Sequence, residues 1–116
     1  MTHNKKRAIL EVAARACGIE GRYNGITEVI YLADGSGGER RWWNPINNAL
    51  DTSAMCAVLD IDTYWFPKKN LVLCCRDGAR TRYHHDEKHD GTPEGKESAW
   101  RLAATMVAAK FGGYEE

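Results

Sequence analysis

The chain has 116 residues, a length typical of one domain, and 43% of them are hydrophobic. Sixteen basic residues balance sixteen acidic ones, so no global field draws the protein onto nucleic acid or anionic lipid. A composition this close to the globular average excludes a wholly disordered chain, and the length is sufficient to bury a core without disulfides or metal. We therefore expect one globular domain spanning residues 1–116.

The four cysteines and the amino-terminal segment indicate an intracellular protein. Cys74 and Cys75 are adjacent, there is no CxxC pair, and nothing else is typical of a secreted chain. Glu11 and Arg15 interrupt the first apolar stretch, which is typical of an amphipathic helix rather than a signal peptide. No apolar run reaches membrane-spanning length. We expect a cytoplasmic protein with reduced thiols and no membrane partner.

The first part of the chain predicts a helix followed by a β-hairpin. Apolar residues at helical spacing predict a helix over residues 5–17, with Asn4 as its cap. The segments ITEVIYL at 26–32 and ERRWW at 39–43 are rich in residues that favour strands. The glycine-rich run at 34–38 suits the loop between them.

The middle of the chain predicts a second helix and a three-stranded meander. The helix is expected over residues 51–60, and its candidate caps are Asn47, Asn48 and Asp51. Short apolar or aromatic segments separated by turn signals predict strands at 63–66, 71–75 and 80–85. The polar stretch at 86–95 is expected to be a loop.

The carboxy-terminal segment predicts a third helix. Thr92 is its expected cap, Pro93 suits the first turn, and Gly112 is expected to end it. The resulting order is α-β-β-α-β-β-β-α. Hairpin-linked strands in this order predict an α+β fold, with an antiparallel sheet and helices packed on one face.

Arginines on the predicted strands are one candidate binding set. Arg80 and Arg82 share a strand face, Arg76 precedes them, and Arg40 and Arg41 lie on another strand. Guanidinium groups arranged in this way bind phosphate or carboxylate bidentately. The alternative is an ordinary charged sheet face whose arginines pair with neighbouring acids. If a small ligand is bound, we expect it to be anionic.

Tryptophans are a second candidate binding set. Trp42 and Trp43 are adjacent on a strand, so one is expected in the core and the other at least partly exposed. With Tyr64 and Trp65 they would form an aromatic patch. Exposed aromatic rings beside arginine favour a partner protein or stacked bases. The alternative is core packing on both sides of a covered sheet.

Histidines near the end of the meander are a third candidate set. His84, His85 and His89, with Asp86 and Asp90, are residue types that bind transition metals. If the strand ended at His85 and the chain turned, His85 and His89 would converge. The spacing matches no standard zinc pattern, so a solvated strand end is the favoured alternative, and no cofactor is expected.

Catalytic motifs are scarce in this sequence. It contains no GxSxG, no HExxH and no P-loop. Pairing of the meander strands would place Cys74 or Cys75 opposite His84 or His85, although a cysteine inside an apolar strand is usually inert. We therefore expect binding rather than catalysis.

Three segments carry a family resemblance. They are ILEVAARACGIEG at 9–21, RWWNPINNALDTSAMCAVLDID at 41–62 and SAWRLAATMVAAKFG at 98–112. In this order and spacing they resemble small accessory proteins of tailed bacteriophages and prophages, including the NinX-like group. The resemblance implies a setting in the cytoplasm of a bacterial host, and it implies no particular reaction.

These features lead to three functional hypotheses. The first is a phage or prophage accessory protein that binds and inhibits a host protein, such as a defence protein, through the aromatic sheet or the loop at 86–95. The second is an oligomeric sponge that sequesters an anionic nucleotide signal. Its candidate contacts are Arg76, Arg80, Arg82, Trp42, Trp43 and Trp65. The third is a metal-dependent hydrolase that uses the three histidines.

Overall fold

The computed structural model describes residues 1–32, 42–76 and 83–116. The helices in these ranges are α1 (His3–Ala16), α2 (Ala49–Leu59) and α3 (Pro93–Phe111). The strands are β1 (Gly21–Asn24), β2 (Val29–Leu32), β3 (Trp42–Trp43), β4 (Ile61–Phe66), β5 (Leu71–Arg76) and β6 (His84–Lys88). Within the described ranges they form two antiparallel sheets, β1-β2-β3 and β4-β5-β6. The predicted α+β fold class is confirmed.

The strands differ in detail from the predicted order. The sequence did not predict β1, because its four residues, GRYN, lack the apolar alternation that marks a strand. The last strand extends to Lys88, into the stretch predicted as a loop, although its sequence HHDEK is polar. The strands are divided between two sheets because β3 ends at Trp43 and the chain then enters α2 instead of continuing the meander.

Side-chain caps fix where the helices begin. Thr2 caps α1 in place of the predicted Asn4, which lies inside the helix. Among the candidates for α2, Asn48 is the cap, so the helix begins two residues before the predicted start. Thr92 caps α3 and Pro93 occupies its first turn, as predicted.

Helix α3 is the centre of the core. It packs against α1, α2, β4, β5 and β6. All residues from Ala103 to Ala109 are buried, and the alanines among them let neighbouring elements approach closely. The hydroxyl of the buried Thr105 donates to the Arg101 carbonyl oxygen at 2.7 Å, so its polar atom is satisfied. No helix in the described part of the chain is long and apolar enough to cross a membrane.

The second sheet, β4-β5-β6, has one face packed on α3. Val72 and Cys74 on this inner face are fully buried. The Trp100 indole of α3 donates to the Thr63 hydroxyl oxygen at 3.0 Å, which fixes the helix against β4. Because side chains alternate along a strand, Tyr64 and Phe66 lie on the opposite, outer face.

A buried asparagine joins the first sheet to α2. The Asn44 amide nitrogen donates to the Glu28 carbonyl oxygen at 3.1 Å, in the β1–β2 turn. The Asn44 amide oxygen accepts from the Ile46 backbone N–H at 3.0 Å. The Asn44 backbone N–H donates to the Asp51 carboxylate at 2.9 Å. These three bonds hold the β1–β2 turn, the chain after β3 and the first turn of α2 together.

Two further hydrogen bonds attach the turn after β3, which contains Pro45 and Ile46, to helices α2 and α3. The Thr52 hydroxyl of α2 donates to the Pro45 carbonyl oxygen at 2.6 Å. The Arg101 Nε of α3 donates to the Ile46 carbonyl oxygen at 2.8 Å. The turn therefore contacts both helices that support the second sheet.

Asn44→Ala is expected to destabilise the protein by about 2–4 kcal/mol, because a buried side chain is removed and the partly buried Glu28 carbonyl and Ile46 N–H lose their partner. Urea denaturation measures this change. Asn47→Ala, at an exposed position of the same turn, is the matched control and should change the free energy of unfolding by less than about 0.5 kcal/mol. A cost below about 1 kcal/mol for Asn44→Ala would contradict the role assigned to its side chain.

Candidate functional site

The predicted arginine set is only partly described by the structure. Arg80 and Arg82, like Arg40 and Arg41, lie outside the described residues. The Arg76 Nε donates to the Leu59 carbonyl oxygen at 2.9 Å. Its guanidinium carbon lies 4.2 Å from the centre of the Phe111 ring. Arg76 thus joins the ends of α2 and α3 to the sheet and has a packing role in this arrangement.

The tryptophans occupy different surfaces. Trp43 is 6% exposed and Trp42 is 40% exposed, so adjacent residues face opposite ways, as predicted. Trp42 lies directly opposite Tyr31 of β2, on the exposed face of the first sheet. Trp65 lies in the second sheet, on β4. The predicted single aromatic patch is therefore divided between two sheets.

The histidines do not converge. His84 and His85 face opposite sides of β6, because the strand continues past them to Lys88. Four residues of extended chain separate His85 from His89 by about 13 Å. The His89 Nδ1 accepts from the Gly91 backbone N–H at 3.0 Å. Among residues 1–32, 42–76 and 83–116, no group of three or more His, Cys, Asp or Glu is arranged to hold a metal ion.

His85 is part of a charged cluster that attaches the last residues to β6. The Lys110 Nζ lies 3.2 Å from the His85 Nδ1 and 3.1 Å from a Glu116 carboxylate oxygen. The His85 Nε2 lies 2.8 Å from a Glu87 carboxylate oxygen. The hydrogen bond from Lys110 lowers the pKa of Glu116 below its ordinary value. Both ring nitrogens of His85 therefore have partners within the protein.

The cysteine–histidine pairing predicted for the meander is present, but it does not activate the Cys74 thiol. Cys74 lies opposite His85, and Cys75 lies opposite His84. Cys74 is fully buried beneath α3, and burial raises the pKa of its thiol to about 12. A thiol with this pKa is protonated at neutral pH, so it is not a nucleophile.

Three consecutive aromatic residues on β4 form the most exposed aromatic surface of the second sheet. Tyr64 is 43%, Trp65 46% and Phe66 41% exposed. We call these three residues the aromatic edge. Among the described residues β4 pairs with β5 alone, so it is an edge strand with one unpaired side. Tyr64 and Phe66 face outward, whereas Trp65 projects on the opposite face, as does Thr63, which contacts α3 through Trp100.

The local sequence shapes the end of this strand. Pro67 ends the ladder and begins a short 3₁₀ turn, Pro67–Lys69. Asn70, at a φ of 47°, then reverses the chain into β5. The turn places Lys68 and Lys69 beside the aromatic rings. Together with Trp65 and Phe66 they line a cavity of about 340 Å³.

The Trp65 ring packs against the ring of His89. Its centre lies 6.1 Å from that of the His89 ring, in an edge-to-face arrangement. His89 follows β6, and its backbone N–H donates to the Asn70 carbonyl oxygen at 3.0 Å. These contacts position the Trp65 ring while leaving almost half of its surface exposed.

Sequence reasoning identified Trp65 but missed Phe66, Lys68 and Lys69. A signal was present in the run TYWFPKK at 63–69. Three successive aromatic side chains on one strand cannot share one face, so a sheet covered on one side only would leave at least one of them exposed.

No family model, no curated protein and no solved structure matches this chain.

Cys74 is expected to resist alkylation in the native protein, because both burial and its raised pKa suppress the thiolate. With iodoacetamide at about pH 8, its labelling should be at least about 100-fold slower than in denaturant, as measured by peptide mass spectrometry. The denatured sample is the internal control, since every thiol is then accessible. Equal labelling rates in the native and denatured protein would show that the Cys74 thiol is accessible and reactive in the fold, which would contradict this prediction.

Proposed function

We propose that this protein acts by binding a protein partner through the aromatic edge. The observation that carries the proposal is the exposure of Tyr64, Trp65 and Phe66, each above 40%, on consecutive positions of an edge strand. Single exposed apolar residues are ordinary, whereas contiguous ones mark interaction sites. Tyrosine and tryptophan are also enriched among the residues that dominate binding energy at interfaces.

The position of the aromatic edge supports binding on both faces of the strand. Tyr64 and Phe66 extend the outer face of the sheet, next to Leu71 and Leu73 of β5. Trp65 lies on the other side, and the cavity at the end of the strand is lined by both Trp65 and Phe66. A partner seated at this edge contacts both groups and also reaches the unpaired backbone of β4.

The sequence resemblance supports a bacterial setting for the partner. The segments at 9–21, 41–62 and 98–112 resemble phage and prophage accessory proteins. Such proteins often act on host factors, so we propose a host protein, with defence proteins as the leading class. Inhibition then follows if the bound surface is one that the host protein needs for its own activity.

The other two hypotheses have less support. A nucleotide sponge would use Arg76, but that side chain is engaged with Leu59 and Phe111. A metal-dependent hydrolase would need His85 and His89 to approach each other, and the extended strand keeps them apart.

Trp65→Ala is expected to weaken binding of a host protein by about 30-fold or more, because an anchor at the centre of an interface contributes about 2 kcal/mol. The partner is first isolated from a bacterial lysate on immobilised wild-type protein. Its affinity is then measured by calorimetry, with circular dichroism to verify that each variant is folded.

Leu50→Ala is the matched control, since Leu50 is 75% exposed on α2 and lies outside the aromatic edge. It should leave the affinity within about 2-fold of wild type. Trp42→Ala tests the other aromatic surface. Undiminished affinity in Trp65→Ala, with loss in Trp42→Ala, would move the site to the first sheet. A small molecule retained in native mass spectrometry, with no protein partner, would instead favour the sponge.

A further inference from the structure

Charge changes sign along the edge strand. Asp60 and Asp62 are exposed at the beginning of β4, and Lys68 and Lys69 are exposed just after its end. None of these four side chains forms an ion pair in the described part of the chain. Their charges are therefore available to a partner, with the acidic end and the basic end separated by the aromatic edge.

The separation is large enough for each end to be recognised independently. The six residues of β4 extend over about 20 Å. The screening length at physiological ionic strength is about 8 Å, so a charge placed at one end of the strand is little affected by the other end.

An extended polypeptide fits this surface better than a nucleic acid does. A nucleic-acid backbone carries a negative charge at every nucleotide, so a strand laid along β4 would be repelled by Asp60 and Asp62. A peptide can change its charge from one end to the other. It can also donate and accept main-chain hydrogen bonds along the unpaired side of β4, which a phosphate backbone cannot do.

We infer that the partner presents an extended segment that adds as a strand to the free edge of β4, with its acidic residues confined to the end that meets Lys68 and Lys69. The inference rests on the proposed function and names the chemical class of its partner. Because side chains of an added strand alternate, apolar residues on one face meet Tyr64 and Phe66. A residue on the other face reaches the cavity beside Trp65.

The test is a selection from a displayed random peptide library of about twelve residues, long enough to span β4. Peptides enriched on the wild-type protein should carry acidic residues clustered toward one end, next to alternating apolar residues. A synthetic copy of the most enriched peptide then serves as the probe. Hydrogen exchange with and without this probe should show slower exchange in residues 61–66 of the protein.

Charge reversal provides the quantitative arm. The double substitution Lys68→Glu/Lys69→Glu should lower the affinity of the protein for the synthetic peptide at least about 10-fold at low salt, with a smaller effect at high salt. Lys5→Glu/Lys96→Glu makes the same change in net charge at exposed lysines on α1 and α3, and it should change affinity less than about 3-fold.

Several outcomes would overturn the inference. They are enrichment without acidic residues, equal effects of the two charge-reversal variants, protection outside β4, or displacement of the peptide by single-stranded oligothymidine. If peptides do not bind but a host protein still requires Trp65, the acidic-strand inference fails and the proposed function stands. If Trp65→Ala also leaves the affinity for the host protein unchanged, the inference and the proposed function fail together.

Discussion

The buried side chain of Asn44 is the constraint on which the arrangement of the rest of the chain depends. It is 2% exposed, and its amide connects the β1–β2 turn to the turn that leads into α2. An isolated helix of the length of α2 is unstable in water, so it requires a fixed start and a packed face. Asn44, Asp51 and the Asn48 cap supply the start, and Met55 and Leu59 supply the packed face. Asp60, left-handed at a φ of 54°, then ends the helix and directs the chain into β4.

This chain of constraints explains why an aromatic strand lies at a sheet edge. Helix α2 leads directly into β4, which lies on the side of β5 away from β6. Within residues 1–32, 42–76 and 83–116, β4 therefore has one unpaired side. Burial of a large apolar side chain contributes about 1.5–3 kcal/mol, and the fold leaves much of that contribution unused at Tyr64, Trp65 and Phe66. A partner that covers the aromatic edge recovers it. The charged residues before and after this strand form no ion pairs within the described part of the chain, so a partner of the proposed kind would meet a different charge at each end.

Local signals predicted the helices well. Thr92, Pro93 and Gly112 marked α3 almost to the residue, because caps and breakers act within one turn. Alternation also predicted that Trp42 and Trp43 would face opposite ways. The division into two sheets could not be predicted in this way, because strand pairing depends on contacts between residues distant in sequence.

The candidate site was predicted only in part, for the same reason. The position of Trp65 depends on His89, and the role of Arg76 depends on Leu59 and Phe111, all of which lie far from their partners in the sequence. For the histidines, the sequence predicted a candidate site that the structure does not bring together. Their residue types suggested a metal site, whereas β6 separates them by extending through polar residues of low strand propensity.

Site-specific photo-cross-linking in living bacterial cells tests the central claim most directly. A photoreactive phenylalanine analogue replaces Phe66 in one version of the protein and Leu50 in another, and irradiation captures whatever lies against each position. We predict one predominant cross-linked host protein from position 66 and none from position 50, although Leu50 is the more exposed of the two. Absence of a cross-link at position 66, or the same captured proteins from both positions, would contradict binding through the aromatic edge.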